Sequence, residues 1–310
     1  MTAPTSFDLI VDTYRSIMTD LEAGARRELA SREYPPELLP YLQNRIRDSL
    51  MYLVGSIPGY FRWLFTSREH TNFTYDLSTL NKRHLAWLCH TVTGHPVAQC
   101  MQYLRELEQD TALKEHIRKA LESSDQRVVS DVEPRYGRRM LWYVLTRLLR
   151  PPVVVETGLD KGLGSVVLAS AILRNRDEGY EGRYVGIDID PNAGWMLSDR
   201  YLETGEIRIG DSVELLSSID TPVDLLVLDS SHDAGYETLE LRAIEGQLPP
   251  AAVIISDTGD YTEDLLNFAE ASGREFALFR EVPEDHWWPG SGNSIAYGAA
   301  TRTLRPAKIS

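Results

Sequence analysis

Residues 153–165 read VVVETGLDKGLGS, an apolar run that ends in an acid and leads into three glycines. A short β-branched run, bounded by Pro151 upstream and glycine downstream, predicts a buried strand. In an open α/β sheet, ligands sit beyond the carboxyl ends of the strands, near the point where strand order reverses. Glu156, Thr157 and Gly158 fall at that end of the run.

On either side of this stretch the texture differs. Downstream, short β-branched runs alternate with helical segments: RYVGID, EIRIG, VDLLVLD, AAVIISD, EFALFREV and SIAYG follow VVVET in order. Such alternation predicts a mostly parallel sheet covered on both faces. Upstream the signals are helical, in FDLIVDTYRSIMTDLEAGARRELA, LLPYLQNRIRDSLMYLV, LNKRHLAWLCHTV and onward through YGRRMLWYVLTRLLR. Pro35, Pro36, Pro58 and Pro151 mark breaks between them. The division is expected near residue 134: residues 1–134 form an α-helical N-terminal region, a lid or a dimerisation surface, and residues 135–310 form the α/β domain.

The chain has 310 residues, 43% hydrophobic and 25% charged, as a globular protein with a real core has. A net charge of −14 argues against a nucleic-acid backbone or an anionic membrane surface as partner. No apolar run approaches the roughly 20 residues that span a bilayer, and nothing at the N-terminus resembles a signal peptide, so a cytoplasmic protein is expected. Cys89 and Cys100 are too few for a disulfide scaffold and are expected to pack. The arginines of YGRRMLWYVLTRLLRP alternate with apolar residues at helical spacing and are expected on a solvated helix face, an anion contact being the alternative.

The glycines Gly158, Gly162 and Gly164 are spaced G-x-x-x-G-x-G, not the G-x-G-x-x-G order that lays a pyrophosphate on a helix N-terminus. They are expected to let the backbone approach a bound molecule closely. An acid two residues before the first glycine suits a positively charged ligand. Asp188, closing GID 26 residues beyond Gly162, is placed to accept both hydroxyls of a ribose. A ribose with a cationic neighbour and no phosphate describes S-adenosylmethionine, and Asp211, in IRIGDS, is expected to flank its adenine. Helix capping is the competing role for Asp188 taken alone, although Asp190 before Pro191 is the better cap candidate.

ETGLDKGLGS, GIDIDP, GDSVELL and LVLDSSHDAGY, in that order and spacing, resemble class I S-adenosylmethionine-dependent methyltransferases over roughly residues 135–300. The D-x-x-H-x-x-x-Y piece is similar to the small-molecule O-methyltransferases typified by the macrocin and catechol enzymes. The resemblance implies a Rossmann-like, seven-stranded, mostly parallel sheet whose last strand, SIAYG, runs antiparallel. It implies a cofactor set of Glu156, Thr157, Gly158, Gly162, Ser165, Asp188, Ile189, Asp211, Ser212 and Asp229. The polar segment REHTNFTYDL adds Tyr75 or Asn72 from a lid; a surface turn capped by Asp76 is the alternative.

Methyl transfer from a sulfonium is an in-line displacement, so the protein must align the acceptor and remove its proton. Asp229 and Asp257 end neighbouring strands about 4.8 Å apart and are expected to converge on one cation. Asp229 and Asp257, completed by Thr258, His232 or His286, form the expected ligand set for a divalent metal, magnesium or, with a histidine, zinc; Thr258 stands where the catechol-type pattern has an amide or acid. Without metal, the same acids would bond the substrate or the methionine amino group. His232 is expected as general base, with Asp229 and with His286 of the loop EDHWWPGSGNS at the substrate mouth. The function expected is methylation of a small-molecule oxygen in natural-product biosynthesis, by a monomer or homodimer. Carbon or nitrogen acceptors (a keto acid or an amine), a nicotinamide-dependent oxidoreductase and a non-enzymatic partner-binding protein are the alternatives.

Overall fold

The computed structural model describes residues 6–31, 57–71 and 73–303. The helix expected over 38–54, with Pro35 and Pro36, lies outside the described residues, as does Asn72. The chain divides into two compact units, residues 1–67 with 284–289 and residues 68–283 with 290–310. The first unit contains helices α1 (Ser6–Ala30) and α2 (Ile57–Thr66). Within it the Trp63 ring meets His286 and Trp287, each at 5.7 Å between centroids.

The second unit begins with helices α3 (Thr79–Thr93), α4 (Val97–Glu108), α5 (Thr111–Ser123) and α6 (Arg139–Leu149). Local chemistry sets their ends. The Ser78 hydroxyl caps α3 at the Asn81 N–H, Gly94 closes it in the left-handed conformation, and Asp110 caps α5 at the Leu113 N–H. These helices group with the sheet, so the division between compact units falls elsewhere than at residue 134.

Helix α6 departs from the sequence expectation. Every residue from Arg139 to Leu148 is buried, because α6 packs against α3, α4 and the first helix of the sheet domain, α7 (Leu163–Asp177). Its arginines are therefore not on a solvated face. Arg147, 2% exposed, is held by Glu106 at 2.7 Å and by Glu178 and Asn175.

Seven strands follow: β1 (Val153–Thr157), β2 (Arg183–Asp188), β3 (Gly205–Ile209), β4 (Leu225–Leu228), β5 (Val253–Ser256), β6 (Glu275–Arg280) and β7 (Gly292–Tyr297). They form one sheet in the order β3-β2-β1-β4-β5-β7-β6, with β7 antiparallel to both neighbours and the other pairings parallel. This is the Rossmann-like, mostly parallel sheet expected, antiparallel last strand included. β1, β4 and β5 are buried on both faces, which is why they read as unbroken apolar runs without alternation. On one face Val155, Val185, Leu226 and Ile254 pack beneath Leu216 of α9 (Ser212–Ser217), Leu241 of α10 (Tyr236–Ile244) and Leu265 of α11 (Asp264–Ser272); the four-residue α8 (Asp199–Leu202) precedes β3. Strand order reverses between β1 and β4, where ligand crevices form in such sheets.

Candidate functional site

The register of the sheet assembles the site. Thr157 lies opposite Ile187 and Leu228, and Leu228 opposite Ser256. One residue further along, Asp188, Gly158, Asp229 and Asp257 stand in a row on the carboxyl edge. Three ladder bonds run past the strand ends to hold that row: Gly158 N–H to Ile187 O at 2.9 Å, Asp229 N–H to Thr157 O at 2.9 Å, and Asp257 N–H to Leu228 O at 3.1 Å.

Above the row lies a crevice in two parts. One part, 550 Å3, is lined by Glu156, Gly158, Asp188, Asp229 and His232 together with His70, Phe73, Arg138, Arg139 and Lys161. The other, 260 Å3, is lined by Gly158, Asp188, Ile189, Gly210, Ser212, Ser230 and Tyr236. Gly158, Asp188 and Ser230 belong to both parts, so the crevice is continuous over the β1–β4 switch point.

Asp188 is fixed by three backbone donors: Leu159 N–H at 2.7 Å and Asp160 N–H at 3.3 Å on one oxygen, Asp190 N–H at 2.8 Å on the other. Its carboxylate thus locks the glycine turn while still facing the crevice. Ile189 beside it is 74% exposed, a large apolar side chain lying open at the rim of the smaller part.

Glu156 is 1% exposed and accepts from Ser165 Oγ at 2.9 Å and from the Tyr184 hydroxyl. Burial raises its pKa to about 8, the two hydroxyl donors only partly opposing it, so the side chain is neutral at pH 7. Thr157 and Ser165 lie fully buried behind the turn and do not line the crevice.

The glycines are dictated by protein atoms, not by the open volume above them. A Cβ on Gly158 (φ +78°) would overlap the Asp229 carbonyl, one on Gly162 would lie 2.9 Å from the Gly194 backbone, and one on Gly164 would overlap Glu156 and Trp142. The expected ligand approach is therefore not what requires them. Asp211 likewise caps α9, accepting from Glu214 N–H at 3.1 Å; its neighbours Gly210 and Ser212 line the crevice instead, Ser212 Oγ lying 3.0 Å from the Tyr236 hydroxyl.

The acids at the ends of β4 and β5 do converge on a cation, and that cation is Arg138. Its Nη2 lies 3.0 and 3.2 Å from the two oxygens of Asp229, and its Nε 3.2 Å from Asp257 Oδ1. Gly137, at φ +48° with the Tyr75 ring where a Cβ would be, turns the chain so that Arg138 enters from the start of α6. Arginine at that end opposes the helix dipole, and that misfit is the one sequence signal of a task other than solvation. Burial raises the Asp257 pKa well above the ordinary range, Arg138 opposing and Asp229 adding to the rise.

A divalent metal fits this donor set poorly. Asp229, His232 and Asp257 offer atoms within 4.8 Å of one another, close enough for an ion. The guanidinium, however, already bridges the two acids. The third expected ligand, Thr258, is 1% exposed and turns its hydroxyl away to Glu237 at 2.7 Å and Thr262 at 2.9 Å.

Three more expected residues have definite places. Tyr75 is fully buried with its hydroxyl donated to Glu281 at 2.5 Å, so it supports the site from beneath and does not line the crevice. His232 is exposed at the crevice wall, 6.3 Å from the Tyr261 ring. His286 belongs to the first compact unit, in the cluster with Trp63 and Trp287, its Nδ1 accepting from Trp288 N–H at 3.0 Å. Arg138, Arg139, Lys161, Gly210 and Ser230 are among the lining residues to which sequence reasoning gave no role, and Tyr236 entered it only as the last residue of the D-x-x-H-x-x-x-Y piece.

Comparison with known proteins agrees with this architecture. Residues 155–258 match the model of a family described as a methyltransferase domain. Over those residues the sheet unit is thus similar to a methyltransferase domain. Among solved structures, the O-methyltransferase TomG of Streptomyces achromogenes, involved in tomaymycin synthesis and solved with SAM, is 19% identical over 61% of this chain and 90% of its own, with a TM-score of 0.45. A Bacillus cereus O-methyltransferase in complex with SAH is 17% identical over 61% and 91%, TM-score 0.43. A Geobacter sulfurreducens methyltransferase is 21% identical over 59% and 90%, TM-score 0.42. Likenesses this weak assign no residue role here. No curated protein matches the sequence.

Proposed function

We propose that this protein transfers the methyl group of S-adenosylmethionine to an oxygen of a small molecule. The observation that carries the proposal is one continuous crevice over the β1–β4 switch point in which Asp188 and the buried Glu156 flank the bare turn at Gly158, an arrangement suited to a sulfonium nucleoside. The adenosine occupies the smaller part, its base against Ile189 and its ribose hydroxyls on Asp188. Glu156 faces the methionine ammonium, and Arg139 and Lys161, lining the same part, suit the methionine carboxylate.

The methyl group then points toward Asp229 and Arg138. His232, exposed at that wall, takes the acceptor proton. The acids and Arg138 hold the acceptor in line with the sulfonium, which is the positioning that displacement requires. Metal assistance is not part of the reading, because the acids already hold Arg138.

Calorimetric titration with S-adenosylhomocysteine and, separately, with NADH tests the cofactor. Saturable one-to-one binding of the former alone is expected; binding of NADH alone would overturn the proposal in favour of an oxidoreductase.

A further inference from the structure

The class I resemblance of the catechol type implies a metal, and the arrangement around Asp229 disagrees with it. A divalent ion at this place needs the two carboxylates free to face each other across it, with further oxygen ligands closing the shell. Here Arg138 bridges Asp229 and Asp257 through two different nitrogens, Nη2 and Nε, and all three side chains are largely buried, at 13%, 11% and 5% exposure. Of the completing ligands the sequence suggested, Thr258 bonds to Glu237, His286 belongs to the first compact unit, and His232 alone offers an atom within 4.8 Å of both acids.

A guanidinium is charged at any physiological pH and offers five N–H donors in a fixed plane. Asp229 on Nη2 and Asp257 on Nε leave donors over for a third oxygen. Arg138 also lies over the Trp142 ring, 6.0 Å from its centroid, which limits how far it can swing aside. Its entry is fixed by Gly137, whose N–H bonds Tyr75 O at 2.8 Å and whose missing Cβ admits the Tyr75 ring.

We propose that Arg138 is the built-in cation of this site: its guanidinium stands between Asp229 and Asp257 where a metal would stand, holds the acceptor oxygen there, and makes the protein independent of divalent metal. The proposal rests on the methyltransferase reading only for the identity of the acceptor step; the occupancy of the cation place is separate from it.

The test is titration of the full, chelator-treated protein with Mn2+, followed by electron paramagnetic resonance, with and without S-adenosylhomocysteine. Wild type is expected to show no saturable Mn2+ site and no change of melting temperature with Mg2+, Mn2+ or Zn2+. Arg138→Met, which keeps the aliphatic stem and frees both acids, is expected to gain a one-to-one Mn2+ site that disappears in Arg138→Met/Asp257→Asn. A stoichiometric Mn2+ site in wild type that is lost in Asp229→Asn would overturn the proposal, as would a folded Arg138→Met without any site. Should Arg138→Met not fold, the wild-type arm and Asp229→Asn decide alone. Failure of S-adenosylhomocysteine to bind wild type would sink the methyltransferase reading instead, leaving the Mn2+ result intact.

Discussion

Glu156 shows how one side chain can be identified from sequence and still behave unexpectedly. An acid at the end of the first strand is legible, but its neutrality is not, because desolvation depends on Trp142, Ser165 and Tyr184 closing around it. A carboxyl whose folded pKa is about 8 binds a proton that the unfolded chain releases near the ordinary value of 4.5. Its stabilising contribution is therefore complete below the unfolded value and is lost as pH rises toward about 8, at a limiting slope of about 1.4 kcal/mol per pH unit. Glu156→Gln is expected to flatten the stability profile over that window in denaturant melts of the ligand-free protein; an unchanged profile would show that Glu156 is ionised when folded. Binding of a cationic cofactor should release this proton at neutral pH, visible as a dependence of calorimetric enthalpy on buffer. Asp188→Ala is expected to weaken S-adenosylhomocysteine by roughly 10- to 100-fold, since hydrogen bonds to a charged group contribute about 1.5–3 kcal/mol; wild-type affinity in this variant would remove the ribose assignment.

At the scale of elements, the turn after β1 and the start of α6 set the site. Gly158 couples them to the sheet, because its α-carbon passes so near the Asp229 carbonyl that no side chain fits. Gly158→Ala combines that overlap with a positive φ and is expected to cost at least about 2 kcal/mol, seen as a fall in melting temperature together with loss of cofactor binding. A well-folded Gly158→Ala variant that binds normally would mean the turn relaxes freely. Helix α6 is the element whose reading failed. Periodicity placed arginines on one stripe, and a stripe of charge ordinarily faces water. Burial on all sides by α3, α4 and α7 reversed the outcome, and two of the arginines then drew acids from elsewhere in the chain, Glu106 and Glu178 for Arg147 and Asp229 and Asp257 for Arg138, while Arg139 donates to the Phe73 carbonyl. Those partners are 31 to 119 residues distant in sequence, and no local pattern signals them.

For the whole molecule, net charge is the property that bears on macromolecular partners. With a net charge of −14 and Arg138 of the crevice committed to two acids, the protein is expected to leave transfer RNA and duplex DNA unretained in filter binding at about 0.15 M salt. Retention that falls steeply with added salt would point to a nucleic-acid substrate. The helices α3 to α6 belong with the sheet, so the N-terminal boundary read from texture divided the chain by secondary structure, whereas compact units follow packing. His286 illustrates the same difference: a loop position next to the last strand suggested the substrate mouth, while ring packing assigns it to Trp63 and Trp287.

By itself the sequence determined the order of the seven strands along the chain, their apolar character and the acids at their carboxyl ends, because strand periodicity, proline and glycine act over a few residues. It also placed Asp188, Asp229 and Asp257 at the ends of their strands, since a carboxylate closing a buried run has nowhere else to go. Only the tertiary structure decided what those acids face. Which cation lies between two carboxylates, and whether Glu156 carries a charge, depend on how distant segments exclude water and bring Arg138 and Tyr184 within bonding distance, and electrostatic energy of that kind is set by three-dimensional proximity and not by spacing along the chain.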